Sequence, residues 1–425
     1  YVKARLLADA WCAAFVWEKK QNGLPMPMTD MLYRRMEKNP LAENLQTVRE
    51  YVVELKERYQ FFHWHVAFPD VFTVPKDMQH AQNKQMGWNG GFDVVLGNPP
   101  WERIKIQEKE WFAERAPEIA AAPNAAARRK MIAQLAENDP YLSQAFADDK
   151  RKAEGESHFV RSSGRFPLCG RGDVNTYTVF TETSRHIINS TGRIGIIVPS
   201  GIATEDTTKF FFQDLIQTQS LVSLYDFENA QGIFEGVDQR YKFCLLTLTS
   251  WNAIAPQSEF VFFAHNVADL KDDWRRITLP AQDIAMLNPN TGTMATFRSV
   301  KDAEITKGIY RRVPVLIQEE PLENSWNISF LQMFNMANGR FRTRDELESA
   351  GFVLQGNHFV HGDERYLPLY EAKMMHQFTH RWATYEQDGS IRMMTPDELR
   401  DPSALPLPRF WVHESEVSSR IEFWN

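Results

Sequence analysis

Apolar residues recur at three-and-four spacing through residues 1–60, at Leu6, Leu7, Ala10, Trp11, Ala14 and Phe15. This spacing predicts helices with one apolar face, and their expected role is to pack on a sheet. The text then turns aromatic and β-prone at Phe61-Phe62-His63-Trp64-His65 and Phe68-Pro69-Asp70-Val71-Phe72, ahead of a Gln- and Gly-rich stretch from Asp77 to Gly91. The continuous apolar run inside Phe92-Asp93-Val94-Val95-Leu96-Gly97 predicts a strand covered on both faces, and Gly97 lets the backbone turn sharply out of it. From Glu102 to Gly172 the chain is rich in Ala, Glu, Lys and Arg. Glu108 to Ala147 has helical composition, whereas Ser162-Ser163-Gly164 and Gly170-Arg171-Gly172 mark loops.

Asp173 to Ser190 reads as a helix capped by Asp173, with Tyr177, Phe180, Ile187 and Ile188 on its apolar side, and Thr191-Gly192 ends it. The β-branched run from Arg193 to Pro199 predicts a second buried strand. Gly201 to Ile216 follows as a helix, and Leu221 to Phe227 and Phe243 to Thr249 supply further strands. Helix, glycine turn and strand in succession give an α/β class. From Phe297 the strand-and-turn rhythm weakens into a helix-like stretch through Arg312. We therefore expect a helical lead-in at residues 1–75, a core at 76–296 with an insertion at 102–172, and a linker opening a further region at 297–425.

The chemistry concentrates at Asn98-Pro99-Pro100-Trp101, directly behind the first strand. Ligands of open α/β sheets bind beyond the carboxyl ends of strands, so the position suits a site. Neither proline has an N–H, so the surrounding carbonyls stand as stiff acceptors without local donors. The Asn98 side-chain carbonyl and the Pro99 backbone carbonyl together suit the two hydrogens of one planar amine, and Trp101 offers a stacking face.

Gly97-Asn98-Pro99-Pro100-Trp101 behind Phe92-Asp93-Val94-Val95-Leu96 resembles motif IV of amino-group methyltransferases that use S-adenosylmethionine, in the form typical of N6-adenine DNA methyltransferases. Phe62-His63-Trp64, Glu102-Arg103-Ile104-Lys105 and Leu367-Pro368-Leu369-Tyr370-Glu371-Ala372-Lys373-Met374 resemble the large methylases of type IIG restriction-modification and phage-defence systems. The likeness runs from about Leu6 to Trp411. It implies a partial Rossmann-like methyltransferase sheet, with helical insertion 102–172 and the start of a target-recognition region after 297. It further implies direct methyl transfer from S-adenosyl-L-methionine to an adenine flipped out of double-stranded DNA, with nuclease or other defence-system subunits as partners.

In that resemblance Asn98 and Pro99 orient the amine, Pro100 and Trp101 complete the slot, and Asn98 and Pro100 also face the cofactor. The blocks Asp173 to Pro199 resemble motifs V and VI. Phe234, in Ile233-Phe234-Glu235-Gly236, matches the motif VIII aromatic that packs on the adenine from the side opposite Trp101. The glycine-rich motif I is found nowhere, and with a helix-like start at Tyr1 the expectation is that the cofactor-binding half lies upstream. The same slot serves protein-glutamine and RNA-base methyltransferases, and without motif I a non-catalytic DNA-binding or assembly subunit is a further alternative.

Composition narrows little beyond this. The 425 residues are 43% hydrophobic with no run resembling a membrane span. Cys12, Cys169 and Cys244 are scattered without metal-type spacing, which fits a reducing, cytoplasmic setting. The net charge of −7 is unusual for a DNA enzyme. Phosphate contacts must then come from local clusters: Arg161, Arg165 and Arg171 around Gly164 and Gly170, with the loop His158 to Asp173 facing DNA, and Lys307, Arg311 and Arg312 followed by Arg340, Arg342 and Arg344. His63 and His65, which alternate as in a strand, and His376 and His380, four apart on a possible helix, lack further ligands, so no metal is expected.

Overall fold

The β-branched and aromatic runs form a six-stranded mixed sheet in the computed structural model, which describes residues 2–18, 25–330, 333–335 and 340–421. Its strands are β1 (Phe92–Gly97), β2 (Ile188–Pro199), β3 (Leu221–Glu228), β4 (Lys242–Thr249), β5 (Gln257–Ala264) and β6 (Ile277–Pro280). Their order is β1-β2-β4-β3-β5-β6. β1 runs parallel to β2, and β3 runs parallel to β5. β4 is antiparallel to both β2 and β3, and β6 closes the sheet antiparallel to β5. The α/β class expected from sequence is present, with β5 and β6 added to it.

The core joins Ile194, Ile196 and Val198 of β2 to Phe211, Phe212 and Leu215 and to Leu246 and Leu248 of β4. Ala303, in the helix Val300–Tyr310, belongs to the same core. Residues 297–326 therefore fold with the sheet, and the chain divides into compact units at 1–326 and 327–425.

The parallel pair β1 and β2 is bridged by a long excursion rather than by one crossover helix. It contains Ala125–Asn138 and Pro140–Ser162 before the crossover's last helix, Thr176–Ile187. The helix Pro140–Ser162 carries the expected loop's first residues, His158 to Ser162, so only the segment after it is loop. The first helices, Val2–Val16, Asp30–Lys38 and Gln46–Tyr59, pack on one another around Ala10, Ala13, Val52 and Leu55, with no strand residue in that cluster. They meet Pro140–Ser162 instead of the sheet: Arg151 donates to the Val16 carbonyl at 3.0 Å, and a Cβ on Gly155 would lie 2.5 Å from Tyr59 Oη. Amphipathic spacing fixes that a face is buried, not which element buries it.

β1 departs from the expectation in a telling way. It lies at the edge of the sheet, and Val94 and Leu96 are 56% and 77% exposed. A run of apolar residues reports hydrophobicity, and the cover it requires is not supplied by the described residues. Several smaller expectations also change. Residues Trp64–Ala67 are helical, so His63 and His65 do not alternate along a strand. His63 Nε2 instead meets the buried Asp9 carboxylate at 2.8 Å. The helix after the excursion is capped by Asn175 and not Asp173, because Asn175 Oδ1 accepts the Tyr177 amide. Gly201 to Ile216 is broken into Gly201–Thr204 and Lys209–Gln217 with a 3-10 turn between them.

The second unit holds a five-stranded antiparallel sheet from Phe341–Arg342, Val353–Gln355, His358–His361, Glu364–Leu369 and Phe410–His413. Phe359 and Trp411 fill its core. Of the segment Phe330 to Asn338, residues 331–332 and 336–338 lie outside the described residues. His376 and His380 are not on a helix, and His376 stacks on Trp382 at 4.5 Å. Among the described residues no cluster of His, Cys, Asp and Glu is arranged to hold a metal, and no helix is long and apolar enough to cross a membrane. All three cysteines are free and buried.

His186, at the last turn of Thr176–Ile187, gives a pH-dependent contribution to stability. Burial, reinforced by the charges of Arg185 and Arg165, pushes it down to about 4 from the ordinary 6.5. A depressed histidine stays neutral in the fold, so its contribution is complete above about pH 6.5 and is lost as pH falls toward 4. We expect His186→Gln to flatten the fall in urea-unfolding free energy between pH 7 and pH 4.5 by up to about 3 kcal/mol. Equal slopes for both proteins would contradict this. Glu182 and Asp226, raised by burial, act in the opposite sense but equally in both proteins.

Candidate active site

Asn98 to Trp101 leave the carboxyl end of β1 and cross to the start of the helix Thr176–Ile187. The crossing is held by a short ladder. The Thr176 hydroxyl donates to the Pro100 carbonyl at 2.6 Å and accepts the Glu102 amide at 3.0 Å. The Thr176 amide donates to the Glu102 carbonyl at 2.8 Å, and the Ile104 amide to the Val174 carbonyl at 3.0 Å. Asn175 Nδ2 reaches the Trp101 carbonyl at 3.5 Å. The carbonyls of Pro100 and Trp101 are thus engaged. Among the described residues, no hydrogen-bond partner meets the Asn98 side chain or the Pro99 carbonyl, and Asn98 is exposed.

Trp101 is half-buried and joins two parts of the core. Its ring lies nearly parallel to Phe243 at 6.4 Å and edge-on to Phe234 at 6.2 Å. Phe243 in turn stacks on Phe227 at 5.3 Å. The structure therefore brings Phe234 to Trp101, but the two rings touch at 82° instead of facing across a gap. A flat group between them requires one ring to turn. The Phe234 loop is fixed by the fully buried Asn229, whose amide donates to the carbonyls of Phe234 and Val237 at 3.1 and 3.0 Å and accepts the Phe234 amide at 2.9 Å.

A cleft of about 1000 Å³ opens beside Trp101, walled by Arg103, Lys105, Trp111, Arg171, Tyr177, Pro199, Glu205, Thr208 and Tyr241. Its charges are largely balanced. Asp173 binds Lys105 at 2.7 Å and Arg103 at 3.2 Å, and the Lys105 ammonium, chiefly through its hydrogen bond, holds the Asp173 carboxyl below its usual range. Burial pushes the Tyr177 phenol up, so it stays protonated. Behind the loop, the buried Glu182 accepts the amides of Leu168 and Cys169 at 3.1 and 2.8 Å.

The proposed phosphate-binding arginines are placed unequally. Arg171 is exposed at the cleft, over the Phe210 ring. Arg161 is exposed but donates to the Gly172 carbonyl and to Ser157 Oγ. Arg165 is half-buried over the Trp11 ring at 4.6 Å, where burial lowers its basicity. Lys307 is buried against Asp283 and Glu304, and Arg311 shares Asp283. Arg312 donates to the Gly308 carbonyl. In the second unit Arg340 pairs with Glu416, Arg342 faces Glu346 at 3.9 Å, and Arg344 pairs with Glu348. Charge runs in the sequence overstate free positive charge because their carboxylate partners come from elsewhere in the chain.

Sequence reasoning missed Thr176, Asn175, Asn229, Phe243 and Tyr241. Asn175-Thr176 ahead of an apolar periodic run is a helix-start signal that was available. The remaining contacts are set by the sheet.

With this geometry in place, comparison with known proteins is informative at one point. Residues 11–130 match the family model of the Eco57I restriction-modification methylase. The matched segment contains β1 and the whole Asn98 to Trp101 loop. No curated protein matches the chain. Among solved structures, the ATP-dependent Type ISP restriction-modification enzyme LlaBIII bound to DNA is similar at 13% identity and TM-score 0.24, over 44% of this chain and 11% of that one. The DrdV-DNA complex gives 10% and 0.21, over 40% and 14%. The type I restriction-modification methyltransferase subunit from Streptococcus thermophilus gives 11% and 0.25, over 66% and 72%. The chain thus spans a small part of the first two proteins, and likeness at these scores carries no argument.

Removing the Thr176 hydroxyl tests the ladder. Thr176→Val leaves the Glu102 amide and Pro100 carbonyl without that partner, a net loss of about 1 kcal/mol. Hydrogen exchange in the peptide spanning residues 98–104 is expected to quicken about fivefold, with Thr176→Ser close to wild type. Unchanged exchange in the valine variant would show that other contacts hold the loop.

Proposed function

We propose that this chain carries the target-amine half of a site-specific DNA adenine N6-methyltransferase acting in a restriction-modification or phage-defence system. The observation that carries the reading is the selective engagement of the loop's acceptors. Pro100 and Trp101 spend their carbonyls on Thr176 and Asn175, while the Asn98 side chain and Pro99 carbonyl keep theirs free at the end of β1. Two free acceptors on consecutive residues suit an exocyclic NH₂. The Eco57I match over residues 11–130 supports methylase chemistry at this loop.

Adenine N6 is a poor nucleophile because its lone pair is delocalised into the ring. Acceptors that bind both amine hydrogens favour the pyramidal, partly positive nitrogen of the transition state over the flat ground state, which is where such contacts accelerate a reaction. Reaching N6 in a duplex requires the base to leave the stack, at a cost of a few kcal/mol. Stacking on Trp101, with Phe234 turned aside or against the second face, offsets about 1–3 kcal/mol of that. No covalent enzyme intermediate is needed, and the cysteines, buried with raised thiol pKa values, take no part.

S-adenosylmethionine is the methyl donor in this reading. The described residues fit it only in part: Asn98 and Pro100 stand exposed just beyond the carboxyl end of β1. These residues alone build no complete cofactor cradle. The unpaired edge of β1 and its bare Val94 and Leu96 support completion of the site by a further strand on that side.

Expression of the complete gene in a host free of adenine methylation, followed by sequencing that reads N6-methyladenine directly, tests the reading. Asn98→Ala is expected to lower methylation on the order of a hundredfold, as for loss of one transition-state hydrogen-bonding group. Trp101→Phe should retain more activity than Trp101→Ala. Full DNA methylation in the Asn98 variant would end this mechanism. Transfer of labelled methyl groups to protein or RNA, with DNA untouched, would reassign the substrate.

A further inference from the structure

Strand β5 ends on a bulky residue in a left-handed conformation. Phe263 has φ +56°, a region that glycine enters without strain and an aromatic residue rarely does. The pairing with β3 slips at this point: Tyr225 opposes Val261 but Phe227 opposes Ala264, so Asp226 faces two residues. A bulge of this kind re-aims a side chain, and such bulges gather beside active sites. This one is locked. The buried Asp226 carboxylate accepts the Phe263 amide at 3.1 Å and also the Ser200 hydroxyl, and Arg275 donates to the Phe263 carbonyl at 3.3 Å.

Two cations lie on the half-buried Phe263 ring, Lys242 Nζ at 4.8 Å and Arg298 Cζ at 5.1 Å from its centre. They differ in what else they meet. Lys242 is paired with Glu228 at 2.8 Å, and that carboxylate also meets His265 at 3.1 Å. Arg298 is exposed, and among the described residues its guanidinium meets no carboxylate and no hydrogen-bond acceptor. A guanidinium laid by its face on a ring keeps its in-plane N–H groups available as a fixed fork, which matches the oxygens of a phosphate.

The place in the sheet selects the partner. β1 and β5 run in the same direction, so Phe263 and the Asn98 loop stand on one edge. Trp101 lies against Phe243, Phe243 stacks on Phe227, and Phe227 is the cross-strand neighbour of Ala264. β5 is two strands from β4, a span of about 10 Å. Duplex DNA carries about one phosphate per 1.7 Å of its axis, so a duplex that delivers a base to Trp101 lays several along this span.

We propose that Arg298, oriented by the Phe263 ring, clamps one phosphate of the duplex at the carboxyl edge of the sheet beyond the target base. The clamp rests on the reading above that DNA is the substrate. It touches no base, so it fixes the register of the duplex and contributes alike to every sequence.

The test needs neither the recognition site nor methyl transfer. The protein expressed from the complete gene is titrated against a fluorescent duplex of mixed sequence, and anisotropy is followed between about 50 and 200 mM salt. Arg298→Ala is expected to reduce the slope of log K against log salt by about 0.9, the value of one phosphate, and to weaken binding about tenfold at the low-salt end. Arg298→Lys should keep the slope and bind with intermediate affinity, since it retains the charge without the fork. Phe263→Leu removes the platform but no charge, and should weaken binding with the slope unchanged. Arg35→Ala, at an exposed position on the helix Asp30–Lys38, removes the same charge from the lead-in cluster and should bind as wild type. A wild-type slope in Arg298→Ala, or an equal loss in Arg35→Ala, would overturn the clamp and leave the DNA reading standing. A wild-type protein that binds no DNA would overturn both.

Discussion

The hydroxyl of Thr176 is the contact on which the geometry of the site depends. It bridges the Pro100 carbonyl and the Glu102 amide, and it sits on the first turn of a helix whose buried Tyr177 and Ile187 belong to the cores on either side. The loop after β1 is therefore tied to an element that cannot shift without disturbing the sheet. Ordering a loop costs about 1–2 kcal/mol per residue in backbone entropy. Pro99 and Pro100 have little φ freedom to lose, and the ladder to Asn175 and Thr176 offsets part of the rest. What remains free, the Asn98 side chain and the Pro99 carbonyl, adjoins backbone that is engaged at Pro100 and Trp101.

The same strand that presents this loop is the least finished part of the sheet. β1 pairs with β2 on one side only, and Val94 and Leu96 face outward at an open edge. Exposed apolar side chains on an unpaired parallel strand are a liability that a protein normally covers. Phe92, on the same face, is covered by Trp64, Phe68 and Phe72. The cover thus stops partway along the strand, short of the loop. Acceptors for a substrate and an uncovered edge meet at one point, which is why the proposed function assigns this chain one side of a site.

Much of this was legible in the sequence, and the failures have specific causes. The strands around Val95, Ile196 and Leu246 follow from short apolar runs, and the loop at Asn98 follows from residue chemistry alone. The strand Gln257–Ala264 was not assigned, although Phe260, Val261 and Phe262 are fully buried, because polar Gln257, Ser258 and Glu259 open it. The helix cap moved from Asp173 to Asn175 because Asp173 is drawn away by Lys105 and Arg103. Helix Val300–Tyr310 was placed outside the core, yet Ala303 is buried in it, a small residue that hydrophobic patterning underweights. Long-range choices, such as Glu416 for Arg340 or Asp283 for Lys307, leave no local trace.

Charge and stacking together decide how the cleft would bind its substrate. Asp173 neutralises Arg103 and Lys105 at the rim, and Arg165 is packed on Trp11. Arg171 remains as an exposed cation at the cleft, whose wall also carries Glu205. Nonspecific affinity for nucleic acid scales with the phosphates that a surface neutralises, so this rim contributes little of it. The aromatic column does more, since Phe227 supports Phe243 and Phe243 supports Trp101, leaving the indole backed by core and turned to the cleft. A base gains from such a platform only after it has left the duplex. In the proposed function, discrimination then rests on the extruded base and its amine, and the acidic chain does not retain DNA that offers neither.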